Sequence, residues 1–280
     1  MRGLAEYVMS GRRQAATVAV LFGLIPMLNL LSGAVVALVT LRKGPQEGFL
    51  IMMWALLPAG LQWLLGDNAP VIMVVGVTVL SYLLRRTQSW QQVLLMMTLL
   101  GVLLQISLPL QTNYLAYMRG VFDRMLNSGD AAATAAEGMT LEDAKAQVMA
   151  LWQSLYGVGN MLVFTICLML GRYWQALLYN PGGFGQEFHN LRVDRRVMGA
   201  LLVLMLIGIA GLQPLAGWTM VFGVVPGLCG LAVIHHVVAS RKLGTSWLVL
   251  TYLLALMVTP LIVIVGFADS WLDIRKRMTQ

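Results

Sequence analysis

The sequence predicts an all-α fold: a polytopic transmembrane helical bundle of about eight spans, with one periplasmic helical insert near positions 112–148. Two observations carry this. Of 280 residues, 59% are hydrophobic and only 11% are charged, against roughly 25% charged in an ordinary soluble domain. The charges also sit in short clusters between charge-free stretches at 14–41, 48–66, 69–84, 87–118, 146–171, 197–234 and 243–268. Crossing the hydrocarbon core takes about 20 mostly apolar residues. Twelve acids and nineteen bases cannot coat a soluble chain of this length, and the mean hydropathy of +0.77 agrees. The chain therefore reads as a single integral membrane domain over 1–280, with the lipid bilayer as its first partner.

The polar start, with Arg12 and Arg13 ahead of the first apolar run, does not have the pattern of a cleaved signal peptide. The run 14–41 is interrupted by Gly23, Pro26 and Asn29. It is either one kinked span or a pair of half-helices that returns to its own side. Irregular backbone at membrane depth is tolerated only where protein buries it or a cavity adjoins it. The run 243–268, broken at Thr259 and Pro260, poses the same choice, and one kinked span at each end gives the eight.

Between the ends, two spans separate each basic cluster from the next: Arg42 and Lys43; Arg85 and Arg86; Arg172 with Arg192, Arg195 and Arg196; Arg241 and Lys242. The spans turn at Gly66-Asp67-Asn68, through the 112–148 segment, and at Gln213-Pro214. All four clusters then share one side. Short cytoplasmic loops collect Lys and Arg, so that side is expected to be the cytoplasm and the membrane a bacterial inner (cell) membrane.

The segment 111–147 holds three bases and five acids, a net of −2 in a chain of +7, which suits the outer face. Tyr114, Tyr117, Val121, Phe122 and Met125 recur at helical spacing, as an amphipathic extension of the preceding helix. Asn127-Ser128-Gly129-Asp130 reads as a turn. Thr140 followed by Glu142 and Asp143 starts another helix, because acids suit the positive end of its dipole.

Polar side chains at span depth are costly unless paired or wetted. Asn29, Gln62, Gln105, Asn160 and Gln213 are such residues, with Trp54, Trp63, Trp152 and Tyr156 nearby in sequence. Asn29, Trp54, Trp63, Trp152 and Asn160 are the candidate pocket residues for a small-molecule ligand; equally, the polar ones fit interhelical hydrogen bonds. The loop 179–192, with three glycines, two phenylalanines and Glu187, His189 and Arg192, is either a docking loop for membrane-protein partners or an interfacial re-entry loop. Near the C-terminal end, Asp269 and Asp273 stand four apart on one helix face, and Asp273 is placed to pair with Arg277 one turn on. They are candidate docking residues too, or an anchored helix end.

Several function classes are excluded. The bases form no single face, so no nucleic-acid partner is expected. Cys167 and Cys229 lie in apolar runs far from any CxxC spacing, and His235 and His236 have only His189 as a further histidine. No metal site and no cofactor are expected. No ionisable residue sits at mid-span, and neither a GxSxG elbow nor a phosphate-binding glycine loop is present. The chain is expected not to be an enzyme, with no catalytic residues.

The ending Gly266, Asp269, Trp271, Asp273, then Arg275, Lys276 and Arg277 resembles the close of the YybS-like family of bacterial membrane proteins. Leu41-Arg42-Lys43-Gly44 with Gly48, and the loop 184–192, are similar as well. That family is distantly similar to the substrate-binding subunits of energy-coupling-factor transporters. The resemblance implies a six-helix core and a small-molecule pocket, in a transporter-subunit-like protein without its own ATPase; it transfers no binding residue. The competing expectation is an interaction or assembly protein for envelope components.

Overall fold

The computed structural model describes residues 1–128, 140–212 and 215–278. Among these every regular element is helical, as the all-α expectation requires. Among the described residues six segments are long and apolar enough to cross a membrane, and a seventh exists if one bent pair counts as a single span. This is a multi-pass membrane protein, with six or seven such segments described where about eight spans are expected.

The chain opens with α1 (Arg2–Met9) and α2 (Arg12–Leu24), then breaks at Ile25 and Pro26 before α3 (Asn29–Lys43). α2 and α3 fold back on each other. The Ser32 hydroxyl donates to the Ala19 carbonyl at 2.8 Å, whereas thirteen residues of one helix would hold those positions about 20 Å apart. Arg12 also pairs with Glu47. The run 14–41 is thus a helical hairpin, which decides between the two readings of it and brings both its basic clusters to one end. We predict that cysteines replacing Arg12 and Glu47 are joined by a short bis-maleimide in intact membranes. A single kinked span would keep them about 30 Å apart, on opposite sides, and would give no cross-link.

α3 is the hub. From Ser32 to Leu41 every residue is buried, as expected of a helix enclosed on all sides, here by α2, α4 (Pro45–Leu64), α5 (Ala69–Thr87) and α8 (Leu141–Tyr179). The link from α3 to α4 is Gly44 alone, at φ +104°, a conformation that costs glycine no steric penalty. α6 (Trp90–Ser107) begins with Ser89 as its N-cap. Pro109 lies in a 3-10 turn after α6, so α7 (Thr112–Ser128) is a separate helix and not the extension of α6 that periodicity suggests. The expected turn at 127–130 falls partly on the last residues of α7 and partly outside the described residues.

α8 (Leu141–Tyr179) is one helix of 39 residues, about 58 Å long and nearly twice the hydrocarbon thickness. Thr140 starts it as expected, with a capping box closed by Asp143. Its early turns pack on α7 through Tyr114, Phe122, Trp152 and Tyr156, so the two helices stand off the bundle as a stalk. Gln111 ties the base of this stalk: its Oε1 accepts from Asn68 at 2.6 Å and from the Tyr156 hydroxyl at 3.1 Å. Burial raises the Asp67 carboxyl and the Tyr114 hydroxyl above their ordinary pKa values there.

The short α9 (Gly183–His189) leads into α10 (Arg195–Ile209). With 15 residues, α10 is about 22 Å long and too short for the span expected over the first half of 197–234. The turn expected at Gln213 and Pro214 lies outside the described residues. α11 (Thr219–Ser240) is a full-length apolar helix. α12 (Ser246–Leu253) and α13 (Ala255–Leu272) are bent by 113°, as in a broken span or a re-entrant pair. The break falls near Leu254, ahead of Thr259 and Pro260, where a sequence reading puts it. α14 (Ile274–Met278) follows a left-handed Asp273 at φ +49°.

Candidate functional site

Two groups of sequence-predicted residues meet different fates. The candidate pocket residues do not converge. Asn29 donates through Nδ2 to Gln62 Oε1 at 3.2 Å, and Gln62 Nε2 donates to the Gly23 carbonyl at 2.8 Å. The break at Pro26 leaves the last carbonyls of α2 without helical donors, and this relay from α3 through α4 serves one of them. A Cβ on Gly23 would lie 2.6 Å from the Pro58 ring, so the hairpin tip and the α4 proline fit only because position 23 is glycine. Asn160 is buried and donates to the Tyr156 carbonyl of its own helix at 2.9 Å. Gln105 fastens α6 to α8, donating to the Gln153 carbonyl and accepting from the Gly157 N–H, both at 2.8 Å.

Trp54 and Trp63 are 47% and 61% exposed on the outside of α4, positions that face lipid in a bilayer. Trp152 belongs to the stalk. Two concavities stand out in the structure, and neither is lined by Asn29, Trp54, Trp63, Trp152 or Asn160. Gln213 lies outside the described residues.

The candidate docking residues do converge, at the basic end. Arg85 donates to the carbonyls of Leu41 and Arg42 at the end of α3, and Arg42 lies 3.8 Å over the Tyr179 ring. Glu187 is bound by Arg172 and accepts from the Trp90 indole at 3.3 Å. The loop after α9 then meets the C-terminal turn. Arg192 donates to the Asp269 carbonyl at 2.7 Å and pairs with Asp273. Arg275 reaches the Asp269 carboxylate at 3.2 Å, and its guanidinium donates to the carbonyls of His189 and Leu191 at 2.6 and 2.8 Å.

The expected pairing of Asp273 with Arg277 is therefore replaced by one with Arg192. Asp273 takes a left-handed conformation and ends the helix, which destroys the four-residue register that would have aligned the two side chains. The hydrogen-bonded Arg192 guanidinium holds the Asp273 carboxyl below the usual carboxylate range. Arg192, Asp269 and Asp273 thus act first as an internal clasp that fastens the C-terminal turn onto the 189–193 loop, while Glu187 ties α9 to α8 and α6.

One residue of this site escapes sequence reasoning. Arg275 reads as one of three topogenic bases, yet it is 9% exposed beside Asp269 at 1%. Only its placement reveals a buried charge. His189 comes within 6.4 Å of His235 and 6.3 Å of His236, ring centre to ring centre, so the chain's three histidines gather around the clasp. Burial, with His236 and Arg275 nearby, lowers the His189 pKa. His235 meets the Tyr252 hydroxyl at 2.9 Å. Among the described residues no group of three or more His, Cys, Asp or Glu is arranged to hold a metal ion.

Comparison with family models, curated proteins and solved structures finds no match for this chain.

Proposed function

We propose that this is a non-enzymatic protein of a bacterial inner membrane that binds and positions other envelope proteins. The observation that carries the reading is how its polar side chains are used. Asn29, Gln62, Gln105 and Asn160 bond to the protein's own backbone or to one another, as residues that fix a bundle do. A small-molecule binder instead turns a few polar groups toward a concave apolar pocket. What the bundle presents outward is a two-helix stalk, capped at Thr140 and fastened by four aromatic rings. Such a stalk exposes Gln147 and Ala150 well away from α3. The positive-inside rule puts the basic end on the cytoplasmic side, which supports a periplasmic position for the stalk.

The test is site-specific photo-cross-linking in intact cells. A photoreactive residue at Gln147 or Ala150 is expected to trap the same discrete protein partner, while one at Leu162, exposed on the membrane part of α8, traps only lipid. No adduct from the stalk positions, together with a small molecule and an ATPase retained on native purification, sinks this reading and installs a transporter subunit.

A further inference from the structure

A concavity of about 400 Å³ opens at the basic end, where the start of α6, the loop before α10 and the C-terminal turn meet. Gln91, Arg192, Arg195, Ser270, Trp271 and Lys276 line it. We propose that this concavity binds the phosphate of an anionic lipid headgroup. The proposal is independent of the protein-binding function and rests on a different part of the molecule.

The charge arrangement carries it. Three bases line the hollow together with two acids, Asp194 and Asp273, and both acids are engaged within the protein. Asp194 Oδ1 accepts from the Arg196 N–H at 2.8 Å as the N-cap of α10, and Asp273 is held against Arg192. Arg195 is exposed and, among the described residues, closes no ion pair. A wall of guanidinium and ammonium groups with a hydroxyl and an amide suits the oxygens of a phosphate, because charge-assisted hydrogen bonds to phosphate are the strong ones.

Position argues for a lipid as the source. Trp271 is 46% exposed and stacks on Phe267, the posture of an aromatic anchor at headgroup level. Gln91 opens an apolar helix whose polar start lies at the same boundary. Basic hollows between helices on the cytoplasmic side are where anionic headgroups settle. The clasp builds the site as well: Arg192, fixed to Asp269 and Asp273, holds the loop that presents Arg195.

The experiment is native mass spectrometry of the purified full chain released from nanodiscs of mixed phosphatidylglycerol and phosphatidylethanolamine. Retention of phosphatidylglycerol is expected to fall about fivefold for each base removed in Arg195→Gln and Lys276→Gln. Arg86→Gln removes an exposed base at the same end but outside the hollow, and should leave retention unchanged. Thermal unfolding of each variant confirms that the fold is intact. Equal retention in all variants, or an equal drop with Arg86→Gln, overturns the site. If inorganic phosphate stabilises the protein in an Arg195-dependent way while phosphatidylglycerol does not, the lipid assignment fails in favour of a soluble phosphate compound.

Discussion

Replacing Arg275 with methionine is expected to lower stability by about 3–5 kcal/mol, the range for removing one partner of a buried ion pair. Asp269 is almost wholly buried, and the guanidinium also serves the carbonyls of His189 and Leu191. Without it the two carbonyls lose their donor, and the carboxylate keeps only the backbone N–H of position 275 and the more distant Arg192. Arg275→Lys should recover only part of the loss, because a single ammonium cannot reproduce a planar fork that reaches three acceptors. Changing both partners, Asp269→Leu with Arg275→Met, should cost less than Arg275→Met alone, since an uncompensated charge is dearer to bury than none. Thermal unfolding in detergent measures all three. A loss under about 1 kcal/mol for Arg275→Met would place the pair among exposed ion pairs and end the description of a buried clasp.

The second large effect is steric. Where α11 and α13 cross, a methyl group added to Gly266 would fall on the Pro226 carbonyl oxygen, and one added to Gly230 would fall on that of Ile262. Backbone cannot rotate aside as a side chain does, so the helices must separate along the whole contact. Gly266→Ala is expected to cost about 1–3 kcal/mol, the usual range for overpacking, and Gly266→Leu more. The control is Gly159→Ala in the exposed middle of α8, where nothing lies near the new methyl. It should gain up to about 1 kcal/mol from helix propensity. Melting temperature and the monodisperse fraction in gel filtration report both variants, and matching behaviour of Gly266→Ala and Gly159→Ala would sink the close crossing.

Much of the architecture is legible in the order of residues. Charge-free runs mark α4, α5 and α11 because a bilayer admits only segments that satisfy their own backbone. Thr140 with Asp143 marks the start of α8, because a capping box is a local bond between neighbours. The gathering of Arg42, Arg85, Arg172 and Arg192 at one end was legible too, since two spans between clusters return the chain to the same side.

Other features were not. Pro26 and Asn29 announce a break but not its angle, so hairpin and kink stay open until Ser32 is seen against Ala19. Asn29 and Gln62, 33 residues apart, fit a pocket or an interhelical bond equally in a linear reading. That they complete a broken helix depends on α4 standing beside the hairpin tip. Arg275 and His189 are 86 positions apart, and no local pattern links them.

The sequence by itself determined that this chain lives in a membrane, that its structure is helical and that its bases share one end. Hydrophobicity and charge placement are properties each segment carries alone. Only the tertiary structure decided that the first apolar run doubles back, that the polar residues in the bundle bond to protein, and that loop and C-terminal turn close around Arg275. Those outcomes follow from contacts between distant segments, where an unpaired carbonyl or buried carboxylate takes whichever donor the packing brings within reach.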